Sequence, residues 1–176
     1  MVQIIFETHG TTYDNAAQLP SGHNDVELSP LGVEQSKEMG ERYKYEHFDA
    51  IFCSDLQRAY RSAEIGFGNR WLIVKDSRLR ECNYGDYTQN PKAWRDNEKV
   101  HRINEPFPNG ESYIQTTARV KSFLADLLKN YEDKRVMIIG HRATQYGLEN
   151  LINGIPLEKV ISAPWKWQPG WEYNLK

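Results

Sequence analysis

Four short apolar runs constrain this chain more than any other feature: VQIIF at 2–6, DAIFCS at 49–54, WLIVKD at 71–76 and RVMIIG at 135–140. Each has the length of a strand and is rich in β-branched side chains, without the period-two alternation of a sheet that keeps one face in water. Such strands are buried on both sides. Helical patterns lie between them. SPLGVEQSKEMGERYKYE opens with Ser29 as an N-cap and Pro30 at the first helical position. SDLQRAYRSAEI is capped by Ser54 or Asp55, and ESYIQTTARVKSFLADLLKNY carries an apolar stripe of Tyr113, Val120, Phe123, Leu124, Leu127 and Leu128. HRATQYGLENLINGIP reads as a last helix ended by Gly154 and Pro156. Strand alternating with helix predicts parallel βαβ units. A length of 176 residues suits one domain over 1–176.

Two segments break the pattern. Residues 83–112 are polar, carry three prolines and hold no sustained period, which predicts an excursion acting as a lid or binding loop. The tail PWKWQPGWEYNLK is read as a closing edge strand packed by Trp165, Trp167 and Trp171. A ligand-stacking platform, or contact with a second copy in a homodimer, is the alternative.

Charge narrows the partners. Twenty-two basic against twenty-four acidic residues leave a net −2, so no global field draws nucleic acid or an anionic membrane. No run is long enough to span a bilayer and the N-terminus does not resemble a signal peptide, so the chain is expected to be soluble and cytoplasmic. Cys53 and Cys82 lack metal-ligand or disulfide spacing and are read as free thiols.

The chemistry follows the strands. In an open parallel sheet the C-terminal strand ends share one edge, where ligands bind. That edge should collect His9 after the first strand, Arg58 after the second, Glu81 after the third and His141 after the fourth. A nucleophile, a general acid and cations around a compact anion suit phosphoryl transfer, with neutral imidazole attacking phosphorus and Glu81 protonating the leaving oxygen.

The order His9-Gly10, Asn15, SGHNDVELSPLG, SDLQRAYRSAEI, LRECNYGDY, PNGESY and GHRAT resembles the histidine phosphatase superfamily, which includes phosphoglycerate mutases and small-molecule phosphatases. The resemblance spans nearly the whole chain. It implies a three-layer α/β/α sandwich around a mostly parallel sheet, with no metal and no organic cofactor. By position, it implies that His9 is the phosphorylated nucleophile, Arg58 and His141 contact the phosphoryl group, Glu81 donates the proton and Asn15 lines the pocket.

Two departures stand out. The family usually has arginine before the nucleophilic histidine, and here Thr8 stands there. A hydroxyl in place of a charged fork weakens phosphate binding by roughly 2–4 kcal/mol unless something compensates. Arg142 follows His141 where the family has a small residue, so it either supplies that cation or pairs with a carboxylate such as Glu7. Arg78, Arg80 and Arg102 are lesser candidates. Thr11 and Thr12 bind phosphate oxygens or only local backbone. Ser112 caps its helix near the pocket, His23 and His101 are read as solvated, and His47 as structural.

The leading expectation is a phosphatase that hydrolyses a small phosphorylated metabolite through a phosphohistidine. A phosphate-binding regulator without turnover, favoured by Thr8, and a phosphomutase are the alternatives. A phosphoprotein phosphatase would need an open, shallow cleft.

Overall fold

The computed structural model describes all residues, 1–176. Five strands form one sheet in the order β3-β2-β4-β1-β5: β1 (Val2–Thr8), β2 (Ala50–Cys53), β3 (Ile73–Lys75), β4 (Arg135–Gly140) and β5 (Trp171–Leu175). The first four run parallel, and β5 closes the edge antiparallel to β1. Trp171 anchors it, its ring 5.8 Å from Phe6.

Alternate strand residues sort the helices into layers. Ile4, Phe6, Phe52, Val136 and Ile138 pack on Val120, Phe123, Leu124 and Leu127 of α5 (Tyr113–Asn130) and Leu148 of α6 (Arg142–Leu151). On the other face, Ile5, Ile51, Met137 and Ile139 meet Met39 and Tyr43, at and just past the end of α2 (Pro30–Arg42), and Ala59, Ala63 and Phe67 of α3 (Gln57–Phe67). The sandwich is therefore three layers deep, and central strands sealed on both sides explain why their sequences run apolar without alternation.

After the single turn α1 (Tyr13–Ala16), Ser29 caps α2 as expected, its oxygen accepting from the Gly32 amide at 3.2 Å. Neither expected residue caps α3. Its N-cap is Leu56; Ser54 Oγ accepts from the Leu56 amide, while Asp55 is drawn away into a bidentate pair with Arg80. The last helical pattern is two helices. The first stops at Leu151, Gly154 turns with φ 68°, and Pro156 begins α7 (Leu157–Ser162) instead of ending α6.

Residues 83–112 are folded. Two single 3₁₀ turns and the short helix α4 (Glu98–His101) join a third apolar cluster, in which Cys82, Tyr84, Ile103 and Phe107 pack on Tyr113, Tyr146, Leu157 and Ile161. Tyr84, Tyr87, Trp94 and Phe107 interlock with centroids 4.8–6.0 Å apart. Aromatics spaced by turns have no helical or strand period, so this core was invisible as a pattern.

Candidate active site

Strand register builds the site. Thr8 pairs with Gly140 across β1 and β4, so the next residue on each strand, His9 and His141, emerges side by side. The His9 amide still bonds the Gly140 carbonyl at 3.2 Å. Gly10 then passes so close to the start of α2 that a Cβ on it would strike the Gly32 carbonyl, and its amide donates to Ser62 Oγ at 3.0 Å. This contact turns His9 toward a cavity of about 990 Å³ at the C-terminal edge of the sheet.

His9 Nδ1 lies 2.7 Å from the Gly10 carbonyl. A carbonyl only accepts, so Nδ1 carries the hydrogen and Nε2 keeps its lone pair. Burial, and then the Arg58 guanidinium, push the His9 pKa down to about 3 against the pull of the Gly10 carbonyl. The ring is neutral through the physiological range.

His141 is 1 % exposed, and neither ring nitrogen has a hydrogen-bond partner. Buried polar atoms are rarely left so, and these line the cavity beside His9. Burial, Arg58 and His9 drive the His141 pKa well below the usual histidine range. Ser21 Oγ and Trp165 Nε1 are likewise unpartnered on the wall.

Arg58 is 2 % exposed, with Nη1 donating to the Asn24 carbonyl at 2.8 Å and Nη2 to the Gly22 carbonyl at 2.7 Å. These bonds fix the guanidinium plane and leave further donors for a ligand. Glu81 is 8 % exposed; Oε1 accepts from the Cys82 amide at 2.7 Å and the Ala143 amide at 3.3 Å, and Oε2 has no protein partner. The four residues named from the strand ends thus share one cavity.

The remaining expectations divide. Thr8, Thr11, Asn15 and Arg142 line the cavity. Thr12 and Ser112 do not: both are buried helix caps, accepting from the Asn15 and Gln115 amides. Glu7 is not the partner of Arg142. It bonds Arg42 Nη1 at 2.8 Å and Tyr43 Oη at 2.7 Å, and Arg142 instead lies over the Trp165 ring at 4.6 Å. Trp165 and Trp167 face the cavity, and Trp165 also packs on the edge strand, its ring 6.3 Å from that of Trp171. Arg78, Arg80 and Arg102 are paired with Asp76 and Asp126, Asp55, and Glu98, away from the cavity. His101 and His47 are exposed.

Sequence reasoning missed the frame behind Glu81. His23 is not simply solvated: its Nε2 donates to the Glu81 carbonyl at 2.8 Å. Arg119 donates to the same carbonyl at 2.7 Å and to those of Arg78 and Arg80, while pairing with Glu111. The available signal was a charged residue beside the apolar stripe of α5. Lys99 and Arg42 on the cavity wall were missed too. No group of three or more His, Cys, Asp or Glu residues converges as a metal site, and no helix is long and apolar enough to cross a membrane.

Residues 4–167 match the histidine phosphatase superfamily (branch 1). The chain belongs to this superfamily. Among its relatives, the uncharacterized phosphatase PhoE of Bacillus subtilis is 33 % identical over 157 residues, 88 % of this chain and 79 % of PhoE. Phosphoserine phosphatase 1 of Hydrogenobacter thermophilus is 27 % identical over 175 residues, covering 92 % and 81 %. YhfR of Bacillus stearothermophilus shares the fold with a TM-score of 0.83, at 24 % identity, over 96 % of this chain and 88 % of YhfR. A mycobacterial glucosyl-3-phosphoglycerate phosphatase superposes with a TM-score of 0.77 at 26 % identity, covering 90 % and 85 %. As a histidine phosphatase, the chain is a phosphoric monoester hydrolase related to enzymes of small phosphorylated substrates.

Proposed function

We propose that the protein hydrolyses a small-molecule phosphomonoester through a phosphohistidine at His9. The observation that carries this reading is the Nδ1 contact with the Gly10 carbonyl, which leaves a neutral ring with its Nε2 lone pair free. In the first step Nε2 bonds to phosphorus, the ester P–O bond breaks, and its electron pair leaves with the alcohol oxygen as Glu81 gives that oxygen its proton. In the second step water attacks phosphorus, Glu81 takes the water proton, and inorganic phosphate departs as His9 regains its lone pair. The Arg58 charge and a hydrogen bond from a neutral His141 N–H stabilise the charge spreading over the equatorial oxygens. Thr11, Asn15 and the Thr8 hydroxyl line the phosphoryl side of the pocket. No metal or organic cofactor is invoked.

The names of the relatives include phosphoserine and glucosyl-3-phosphoglycerate phosphatases, so phosphorylated metabolites with small leaving alcohols are the first substrates to offer. The test is phosphate release in chelator from a panel of such esters, with wild type beside His9→Ala. Turnover confined to wild type, together with an acid-labile, alkali-stable phosphoryl label trapped on His9, is the expected result. Turnover that persists in His9→Ala rejects the mechanism, and tight ester binding with no release makes the protein a phosphate-binding regulator.

A further inference from the structure

The geometry points to a second anionic group on the substrate, carried by the leaving alcohol and held between Lys99 and Arg142. This rests on the phosphatase reading and deepens it. Both side chains line the same cavity as His9 and Glu81, yet they come from separate elements: Lys99 from α4 in the excursion, Arg142 from the first turn of α6. Neither is spent on a carboxylate of the protein, whereas Arg58 is held by two carbonyls and the other arginines around the site are paired. Arg42 pairs with Glu7, Arg80 with Asp55 and Arg119 with Glu111.

Arg142 is also braced. Its guanidinium carbon sits 4.6 Å from the Trp165 ring centroid, which holds the planar fork against an aromatic face while leaving its edge donors for a ligand. Two unpaired cations share one partly buried wall and repel each other; burial first, and then the Arg142 charge, lower the Lys99 pKa, with Glu81 opposing. An anion between them removes that repulsion.

Their position selects which anion. Arg58 shares the cavity with His9, whereas Ala143, the residue after Arg142 in the first turn of α6, gives its amide to Glu81 Oε1 at 3.3 Å, and Lys99 on the same wall feels both the Arg142 and Glu81 charges. Lys99 and Arg142 thus belong to the side where Glu81 meets the leaving oxygen. They do not replace the guanidinium that Thr8 lacks; they read the alcohol. A carboxylate or a second phosphate satisfies the same pair.

The test measures binding to His9→Ala, which cannot turn ester over, by calorimetry with matched ligands. O-phosphoserine and phosphoethanolamine differ only in a carboxylate; fructose 1,6-bisphosphate and fructose 6-phosphate differ only in a second phosphate. At least one pair should show a preference of about 10- to 100-fold for the doubly anionic member, and adding Lys99→Met or Arg142→Gln should cut it about tenfold each. Equal affinities within both pairs, or a preference that neither substitution changes, overturn the inference. Thermal melts of the variants separate a lost contact from a lost fold. Failure of the phosphatase reading shows elsewhere, as no phosphate release by wild type, so the two outcomes are distinct.

Discussion

The imidazole rings of His9 and His141 lie 5.0 Å apart between centroids and are tilted by 59°. The pairing of Thr8 with Gly140 sets this separation, and each ring has one strand's worth of hydrogen bonds behind it. Burial, and after it Arg58, lowers the pKa of both, so the site holds two neutral imidazoles beside one fixed cation. That combination accepts a phosphate dianion without first having to discharge a histidinium. Four expectations follow from the surrounding contacts.

Glu81→Gln keeps the shape of the side chain and removes the transferable proton. With an alkyl phosphate, kcat should fall by about 10²–10⁴-fold. With p-nitrophenyl phosphate, whose leaving group needs little protonation, the loss in burst-phase phosphorylation should be far smaller. Equal losses on both esters would strip Glu81 of the acid role.

Arg58→Lys keeps the charge and loses the planar fork. The buried Gly22 carbonyl and the more exposed Asn24 carbonyl then lack their donors. Unfolding free energy should drop by about 1–3 kcal/mol, and KM should rise more than tenfold by the loss of charged hydrogen bonds to phosphate. Denaturant titration and steady-state kinetics read the two effects separately; an unchanged KM would remove Arg58 from the phosphoryl site.

Thr8→Arg restores the guanidinium that the resemblance leads one to expect. On the proposal that Lys99 and Arg142 serve the leaving side, this place is open to it. Competitive inhibition by inorganic phosphate should tighten about tenfold or more. No change would mean that Arg58 and His141 already saturate the phosphoryl oxygens.

Acid should destabilise the protein through its histidines. The ordinary histidine pKa of 6.5 is lowered to about 3 at His9 and well below 6.5 at His141. Below pH 6.5 the unfolded chain binds protons that the folded one refuses, so stability falls as pH drops, by about 1.4 kcal/mol per pH unit for each such ring. Above pH 6.5 this effect vanishes. Glu7, whose pKa burial raises, acts with the opposite sign. The measurement is therefore the difference in calorimetric Tm between wild type and His141→Gln from pH 7 to 4; a difference flat with pH would contradict the buried neutral ring.

The four candidate residues were legible in the chain because strand ends place them, and strand ends follow from local apolar runs. His9, Arg58, Glu81 and His141 each stand just past such a run or in the turn behind it. Lys99 was not legible, and Trp165 was legible only as the alternative reading of its tail as a stacking platform. Each lies in a stretch without period, and each reaches the cavity only because distant aromatic contacts fold that stretch back: Tyr84 and Phe107 beneath α4, and the Arg142 stack over Trp165. The fates of Thr12, Ser112 and Glu7 were equally undetermined, since a hydroxyl that caps and one that binds phosphate have the same sequence.

The sequence by itself determined the layers, the strand direction and which edge of the sheet is reactive, because hydrophobic period and parallel connection are local consequences of residue order. Tertiary structure decided the rest: that Arg42 and not Arg142 neutralises Glu7, that His23 and Arg119 pin the Glu81 backbone, and that Lys99 and Arg142 line one cavity without a carboxylate partner. These are pairings between side chains far apart in the chain. Each charge had several candidate partners, and only packing brought one of them within hydrogen-bond reach.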